Sequence, residues 1–288
     1  MLLIDINSSG FSNVENTGSS KETLAGATVK IALVKGNFSF DSKDDFKNKA
    51  KWKEAIRKKN IVPFYSIEAN LENSNTEPQY YESRTLKVKT KEARKGKKFT
   101  HHLGMYSHKA LKSYEDSEYN RVIEFTESGY IKGVFSIDGK ITGQKLNSFN
   151  VGILKEGTFE TPDSTDVELV YADYKEYQDN GYLCEPNFDT DDLEGIYTIL
   201  FEVVGNPTST ELVVKAFERS GNTPVTGLAQ ADFVFLKSDS TDQNVSGLTQ
   251  NENTYTINGT GFVSGTLATN VVEKTNIMYE AEKVTVTV

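Results

Sequence analysis

The chain has 288 residues and one cysteine, Cys184, so neither an intramolecular disulfide nor a cysteine-based zinc site can form. Nowhere do 18 apolar residues run together, which removes a membrane-spanning helix. The opening "MLLIDINSSG" lacks a basic leader and a small-residue cleavage pattern, and so predicts no signal peptide and synthesis in a reducing cytoplasm. No phosphate-binding loop of either glycine-rich type occurs, and there is no G-x-S-x-G nucleophile elbow. Histidine is scarce: His101 and His102 are adjacent and would face opposite sides of a strand, and His108 stands alone, so no metal site is expected. The segment "FDTDDLEG" (188–195) misplaces the glycine and distal glutamate of a calcium loop and reads as a solvated acidic loop. These absences predict a non-enzyme with no cofactor.

What is present is β-sequence. Hydrophobic residues make up only 37% of the chain, enough for strands with one dry face. Residues 7–22, rich in Ser, Asn, Gly and Thr, read as an arm or long loop. "ATVKIALV" alternates with a period of two, as a half-buried strand does. One helix is expected at Asp44–Lys59, with Ser42 as its N-cap, acids at its start, bases at its end, and Phe46, Trp52 and Ile56 as packing anchors. A short second helix is expected near Ser107–Glu115. Asp138-Gly139 between "VFSI" and "KIT" signals a hairpin with a type I′ turn.

"GIYTILFEVV" (195–204) reads as the strand that closes the first domain, and Gly205-Asn206-Pro207 as the break after it. Beyond the break, turns recur about every ten residues among Thr- and Val-rich strands, the pattern of a small sandwich. Phe233 and Phe235 should face its core. The fold class is therefore mainly β: a β-sandwich or barrel with one flanking helix over residues 1–206, followed by a smaller immunoglobulin-like sandwich over 207–288.

Net charge is −9, which argues against nucleic-acid binding as the main task, yet the charge is segregated. From Arg84 to Lys98 there are eight cations (Arg84, Lys87, Lys89, Lys91, Arg94, Lys95, Lys97, Lys98) and one acid. From Glu160 to Glu194 there are twelve acids, among them Asp163, Asp166, Asp173, Glu176, Asp189, Asp191 and Asp192, and one cation. Such blocks suit a head-to-tail interface in which one copy's basic loop meets the next copy's acidic surface. They are equally readable as two solvated loops.

A strand-rich first domain with one capped helix, a long charged loop and a hairpin meander, followed by "SGNTPVTGLAQADFVFL", resembles the major tail-tube proteins of long-tailed bacteriophages, some of which append an immunoglobulin-like domain. The resemblance is one of layout over nearly the whole chain and rests on no motif, so no catalytic or ligand residue carries over. It implies hexameric rings stacked into a conduit through which genome DNA passes without specific binding. It also implies that the arm at 7–22 or the loop at 87–98 bridges neighbouring copies, that acids line the lumen, and that the terminal domain decorates the outside of the virion tail. Partners would then be the chain itself and other virion proteins, with no membrane. Two other readings stay open: another virion component, such as a capsid decoration, head-fibre or connector protein, or a glycan-binding surface module using Tyr80, Tyr81, Tyr106 and Tyr114 as stacking platforms.

Overall fold

The computed structural model describes residues 5–7 and 24–288. The arm expected at 7–22 lies, from residue 8 on, outside the described residues. Strand accounts for 46% of the chain and helix for 12%, so the protein is mainly β, as its alternating patterns require. It divides into two compact units, Met1–Glu194 and Gly195–Val288.

The strands of the first unit are β1 (Asp5–Asn7), β2 (Thr28–Val34), β3 (Ile61–Pro63), β4 (Ala69–Asn73), β5 (Gln79–Glu82), β6 (Lys87–Lys91), β7 (Gly96–His101), β8 (Arg121–Thr126), β9 (Ile131–Phe135), β10 (Ile141–Thr142), β11 (Gln144–Lys155), β12 (Ser164–Tyr171) and β13 (Gly181–Cys184). Eleven of them join one strongly bent sheet, ordered β1-β13-β9-β8-β11-β12-β7-β4, with β2 running along β8 and β3 beyond it. Strand β11 makes the bend. Its first residues, Gln144 and Lys145, pair with Val122 and Arg121 of β8, and the rest of the strand pairs with β12. Gly143 stands at the corner, where a Cβ would lie 2.7 Å from the Val122 backbone, so no other residue permits the approach.

The bend folds the sheet onto itself and buries one face. On β12 every second residue, Thr165, Val167, Leu169 and Tyr171, is buried, as period-two alternation dictates. Val167, Leu169 and Tyr171 meet Ile31, Leu33, Phe99, Val122, Phe149 and Val151 in one apolar core. Strand β8 is buried on both faces, because Phe125 points the other way, against Trp52 at 5.5 Å.

The helical segment covers that second face, but as two helices, α1 (Lys43–Lys47) and α2 (Lys49–Arg57), where one was expected. Ser42 does cap the start, accepting from Asp45 N at 3.1 Å. The interruption is Asn48, which has extended backbone and whose side chain accepts from Ala50 N at 2.9 Å, restarting the helix. An asparagine inside a helical period offers the backbone this alternative. The Trp52 indole donates to Phe46 O at 2.7 Å, satisfying a carbonyl at the break. Phe46, Trp52 and Ile56 are buried, with Trp52 5.1 Å from Phe40 and 5.7 Å from Phe46. Two further helices are α3 (Met105–Lys112), which starts two residues before the expected position, and α4 (Glu176–Asn180).

The Asp138-Gly139 hairpin joins β9 to β10, but its turn is not type I′. Only Gly139 has positive φ, at 78°, and its N–H donates to Ser136 O at 2.9 Å, so the reversal is built on residues 136–139. The left-handed residue closing such a turn is a common hairpin alternative.

The second unit contains β14 (Ile196–Val204), β15 (Glu211–Glu218), β16 (Phe233–Lys237), β17 (Val245–Asn251), β18 (Thr254–Gly259), β19 (Gly265–Thr269), β20 (Val272–Lys274), β21 (Ile277–Ala281) and β22 (Val284–Val286). A six-stranded sheet, β17-β18-β15-β14-β21-β20, faces a three-stranded one, β16-β19-β22. Between them lie Phe201, Leu212, Val214, Tyr255 and Ile257 from the first sheet and Phe233, Phe235, Leu267 and Val286 from the second.

Strand β14 overturns the expected boundary. It pairs antiparallel with β15 and parallel with β21, and it buries Ile199 and Phe201 in the second core. The division therefore falls between Glu194 and Gly195 instead of at 206/207. Gly205, at φ 71°, sits in the β14–β15 hairpin loop; glycine and proline punctuate hairpins and domain linkers alike, so the break was real but misassigned.

Candidate functional site

Strands β5 and β6 form a two-stranded hairpin that pairs with no other strand of the described chain. All of its strand residues are exposed. Its apolar side chains include Tyr80, Tyr81, Leu86 and Val88, exposed by 50%, 60%, 56% and 43%. Its internal ties are polar: Lys87–Glu82 at 3.3 Å, Lys89–Glu92 at 2.7 Å, and the Lys87 ammonium 5.2 Å from the Tyr80 ring. An isolated two-stranded ribbon is marginal in water, and the apolar surface here is not packed on the described residues of its own chain. Arg84, Lys87, Lys89 and Lys91 all belong to this hairpin, and Arg94 bridges Thr76 at its base.

At Lys98 the basic block meets the acidic block inside the same chain. Strand β7 lies beside β12, so Lys98 faces Glu168 across the ladder, 3.9 Å apart, and Thr100 donates to Asp166 at 2.9 Å. Lys155 also binds Asp166 at 2.6 Å, and together these partners hold its carboxyl below the ordinary range. Asp163 accepts from Gly157 N, Asp173 from Lys175 N at 2.8 Å, and Asp189 from Asp191 N at 3.0 Å. Glu176 accepts from Lys145 N at 2.7 Å and lies 3.4 Å from Arg121. Much of the acidic block is thus spent on its own loops and neighbours.

The loop at 188–195 is pinned rather than merely solvated. Lys30, buried, donates to Leu193 O at 2.7 Å and Thr190 O at 3.2 Å, and Lys49 binds Asp192 at 2.7 Å. Burial pulls the Lys30 ammonium below its ordinary value, against the attraction of Asp191, Glu194, Asp189 and Asp192.

Lys95 and Lys97, expected on an interface, turn inward instead. They join a charge cluster at one end of the first core, centred on Glu124, which is 2% exposed. Lys97 Nζ lies 2.5 Å from Glu124 Oε2 and 2.7 Å from Thr28 Oγ1, and Thr28 donates to the same carboxylate oxygen at 2.7 Å. Lys132 Nζ stands 3.6 Å from Glu124 Oε2, and the Tyr171 hydroxyl donates to Oε1. Among the described residues Lys95 has no carboxylate partner: it lies 4.6 Å from the Tyr171 ring, 5.4 Å from the Tyr177 ring and 3.4 Å from Gln144 Oε1. Burial opposes ionisation of Glu124, but Lys97 and Lys132 outweigh it and hold the carboxyl far below its ordinary value. One carboxylate does not serve three ammoniums equally, and burial pushes both Lys95 and Lys132 below the ordinary lysine value. Nothing in the sequence pointed here, because Thr28, Lys97, Glu124, Lys132 and Tyr171 come from five strands and meet only in the fold.

Among the described residues no group of His, Cys, Asp and Glu could hold a metal ion. His101 is buried, with Nδ1 3.2 Å from Ser66 O and Nε2 unpartnered, and His108 Nδ1 lies 3.0 Å from Thr165 Oγ1. In the second unit an open cleft of about 640 Å³ is lined by Phe233, Phe235, Gln230, Gln243, Asn244 and Asn270, among others. Three of its amides are already engaged: Gln230 donates to Val245 O at 2.9 Å, Asn244 to Thr260 at 3.0 Å and Gln243 to Val263 O at 2.7 Å. No protein-family model matches the chain, and no curated protein matches it significantly.

Proposed function

We propose that this chain is a self-assembling structural subunit of a bacteriophage tail tube, docking copies side by side into rings that stack into a DNA conduit, with the second unit as an outward accessory lobe. The observation that carries the reading is the β5–β6 hairpin: an arm with cations and four exposed apolar side chains, left uncovered by the described residues of its own chain. A neighbouring copy would cover it. Strands β1 and β4 end the first sheet's order and offer backbone edges to extend it. A negative lumen, consistent with the net charge of −9, would let DNA slide without adhering. Charge reversal of lumen-facing acids should then slow DNA ejection, and unaltered ejection would remove that part of the reading.

The structure of the blocks narrows the expected interface. Lys97 and Lys95 turn inward, Lys98 faces Glu168 within its own sheet, and Lys87 and Lys89 pair with Glu82 and Glu92 inside the hairpin, so Arg84 and Lys91 would be the hairpin cations to meet a partner's acids. Electron microscopy and sedimentation of the purified chain test the proposal. Rings or tubes that disappear when Tyr80, Tyr81, Leu86 and Val88 are replaced by serine support it. A wild-type chain that stays monomeric at high concentration overturns it.

A glycan-binding module is favoured by one observation only, the exposure of Tyr80 and Tyr81. Tyr114 does not serve, since it packs 5.4 Å from both Phe64 and Tyr119. A monomer whose Tm rises with a glycan would select this reading.

A further inference from the structure

We infer that the first unit holds a binding site for a small oxyanion of the inorganic phosphate class, built by Lys95, Lys97, Lys132 and the carboxamide of Gln144. The argument is one of charge and unmet hydrogen bonding. Two ammoniums, Lys97 and Lys132, flank Glu124, and a third, Lys95, stands over the Tyr171 ring whose hydroxyl binds Glu124, while the nearby Arg121 and Glu176, 3.4 Å apart, neutralise each other. The cluster therefore carries a positive excess in a region where the Lys97 and Lys132 side chains are only 12% and 17% exposed. Buried charge without a counter-charge is costly enough that a protein retains it only where something neutralises it.

Gln144 supplies the second observation. It is 3% exposed, its Oε1 accepts from Lys95 at 3.4 Å, and its Nε2 has no acceptor. Exchanging the amide's oxygen and nitrogen would set an N–H against the Lys95 ammonium, so the orientation is fixed by its neighbour. The result, among the described residues, is an orphaned donor beside an ammonium that has only aromatic faces and a carbonyl-type oxygen for company. An oxyanion offers acceptor oxygens to both, and the negative charge that Glu124 cannot divide three ways. It would also return Lys95 and Lys132 toward their ordinary values. The donors come from three strands, β7, β9 and β11, and from the segment before β7, which suits a ligand with several oxygens over a single-atom halide. The recessed lysines favour a small solute over a neighbour's side chain. The inference stands whether or not rings form.

The test is thermal unfolding of the full chain, freed of oxyanions, in inorganic phosphate against chloride at matched ionic strength. Saturating phosphate should raise Tm by about 3 °C or more. In Lys95→Met the apparent phosphate affinity should fall at least about tenfold. Gln144→Glu replaces the donor amide with a carboxylate beside Lys95, which supplies negative charge there and repels an anion; its Tm should rise without phosphate and no longer respond to it. That variant keeps the inference testable should Lys95→Met fail to fold. A matching rise with sulfate supports the oxyanion class. No rise over chloride in the wild type, or an equal rise in wild type and both variants, overturns the inference.

Discussion

The two units use the same β-strand grammar but fill their interiors differently. In the second, the buried polar side chains are Gln243 and Thr269, and both are satisfied: Gln243 exchanges two bonds with Val263, at 2.7 and 2.8 Å, and Thr269 accepts from Ala281 N at 2.8 Å. Tyr255 is likewise met at its hydroxyl by Leu228 N and Val225 O. The first unit buries Lys30, Glu124, His101 and Gln144, and the buried unpartnered side-chain atoms among the described residues, on Ser74, His101, Gln144 and Tyr182, all belong to it. The second unit's core thus holds no buried charge, whereas the first unit's does, and a buried ion pair is by itself weak evidence of stabilisation.

The sharpest way to break the contrast is Glu124→Ala. It leaves Lys97 and Lys132 buried without their carboxylate, and the loss should be about 3–5 kcal/mol. Trp52 is the only tryptophan and lies in the first unit, so its fluorescence reports that unit's unfolding in urea. The fluorescence transition should move while a transition assigned to the second unit stays in place. The converse is Leu212→Ala in the second core, where Leu212 is fully buried. Here the loss should be about 3 kcal/mol, from transfer and cavity, and should appear in far-ultraviolet circular dichroism without displacing the Trp52 signal. Coincident transitions in both variants would show the two units to be energetically one.

These predictions also mark what a sequence makes legible. The helix anchors Phe46, Trp52 and Ile56 could be read directly, because burial at helical spacing leaves a local trace. Strand β2 was legible as a strand but not as half-buried, since Ala32 and Val34 are as buried as Ile31 and Leu33, and β12 went unread inside the acidic block because its outward positions carry some of the acids. The Asp138-Gly139 reversal was legible as a hairpin but not as a turn type. Asn48 was overlooked as a break, since amphipathic spacing continues across it. Strand β14 was assigned to the wrong unit because its own pattern is silent about its partners, β15 and β21. The charge blocks were legible as blocks, yet Lys98 and Glu168, 70 positions apart, become cross-strand neighbours only through the β7–β12 pairing. The Glu124 cluster gathers residues from Thr28 to Tyr171 and had no local trace at all.

The pH dependence sharpens the comparison at smaller scale. Burial lowers the His101 value despite its bond to Ser66 O, so the folded chain prefers the neutral ring. The unfolded chain then takes up the proton first as pH falls below about 6.5, and stability drops from there toward the folded value. Glu124 works in the same sense at lower pH: its folded value is depressed, so its contribution is intact above the unfolded value near 4.5 and drains away below it. Each group contributes a slope of at most about 1.4 kcal/mol per pH unit. All three histidines lie in the first unit, so the Trp52 transition should weaken between pH 6.5 and 5 while the second unit's changes little. His101→Asn should flatten the upper part of that decline, and an unchanged profile would assign the acid sensitivity elsewhere.

The smallest expected effect on stability separates folding from assembly most cleanly. Tyr81 and Leu86 project from a hairpin whose residues touch no core, so Tyr81→Ser with Leu86→Ser should alter the Trp52 transition by no more than about 0.5 kcal/mol. A neighbouring copy would bury the same side chains, where each fully buried large apolar group is worth about 1.5–3 kcal/mol. The same pair of substitutions should therefore leave the monomer intact and shift assembly to much higher protein concentration, read by sedimentation. If the monomer itself unfolds more readily, the hairpin packs on its own chain, and the arm loses its claim as the part of this molecule that another copy completes.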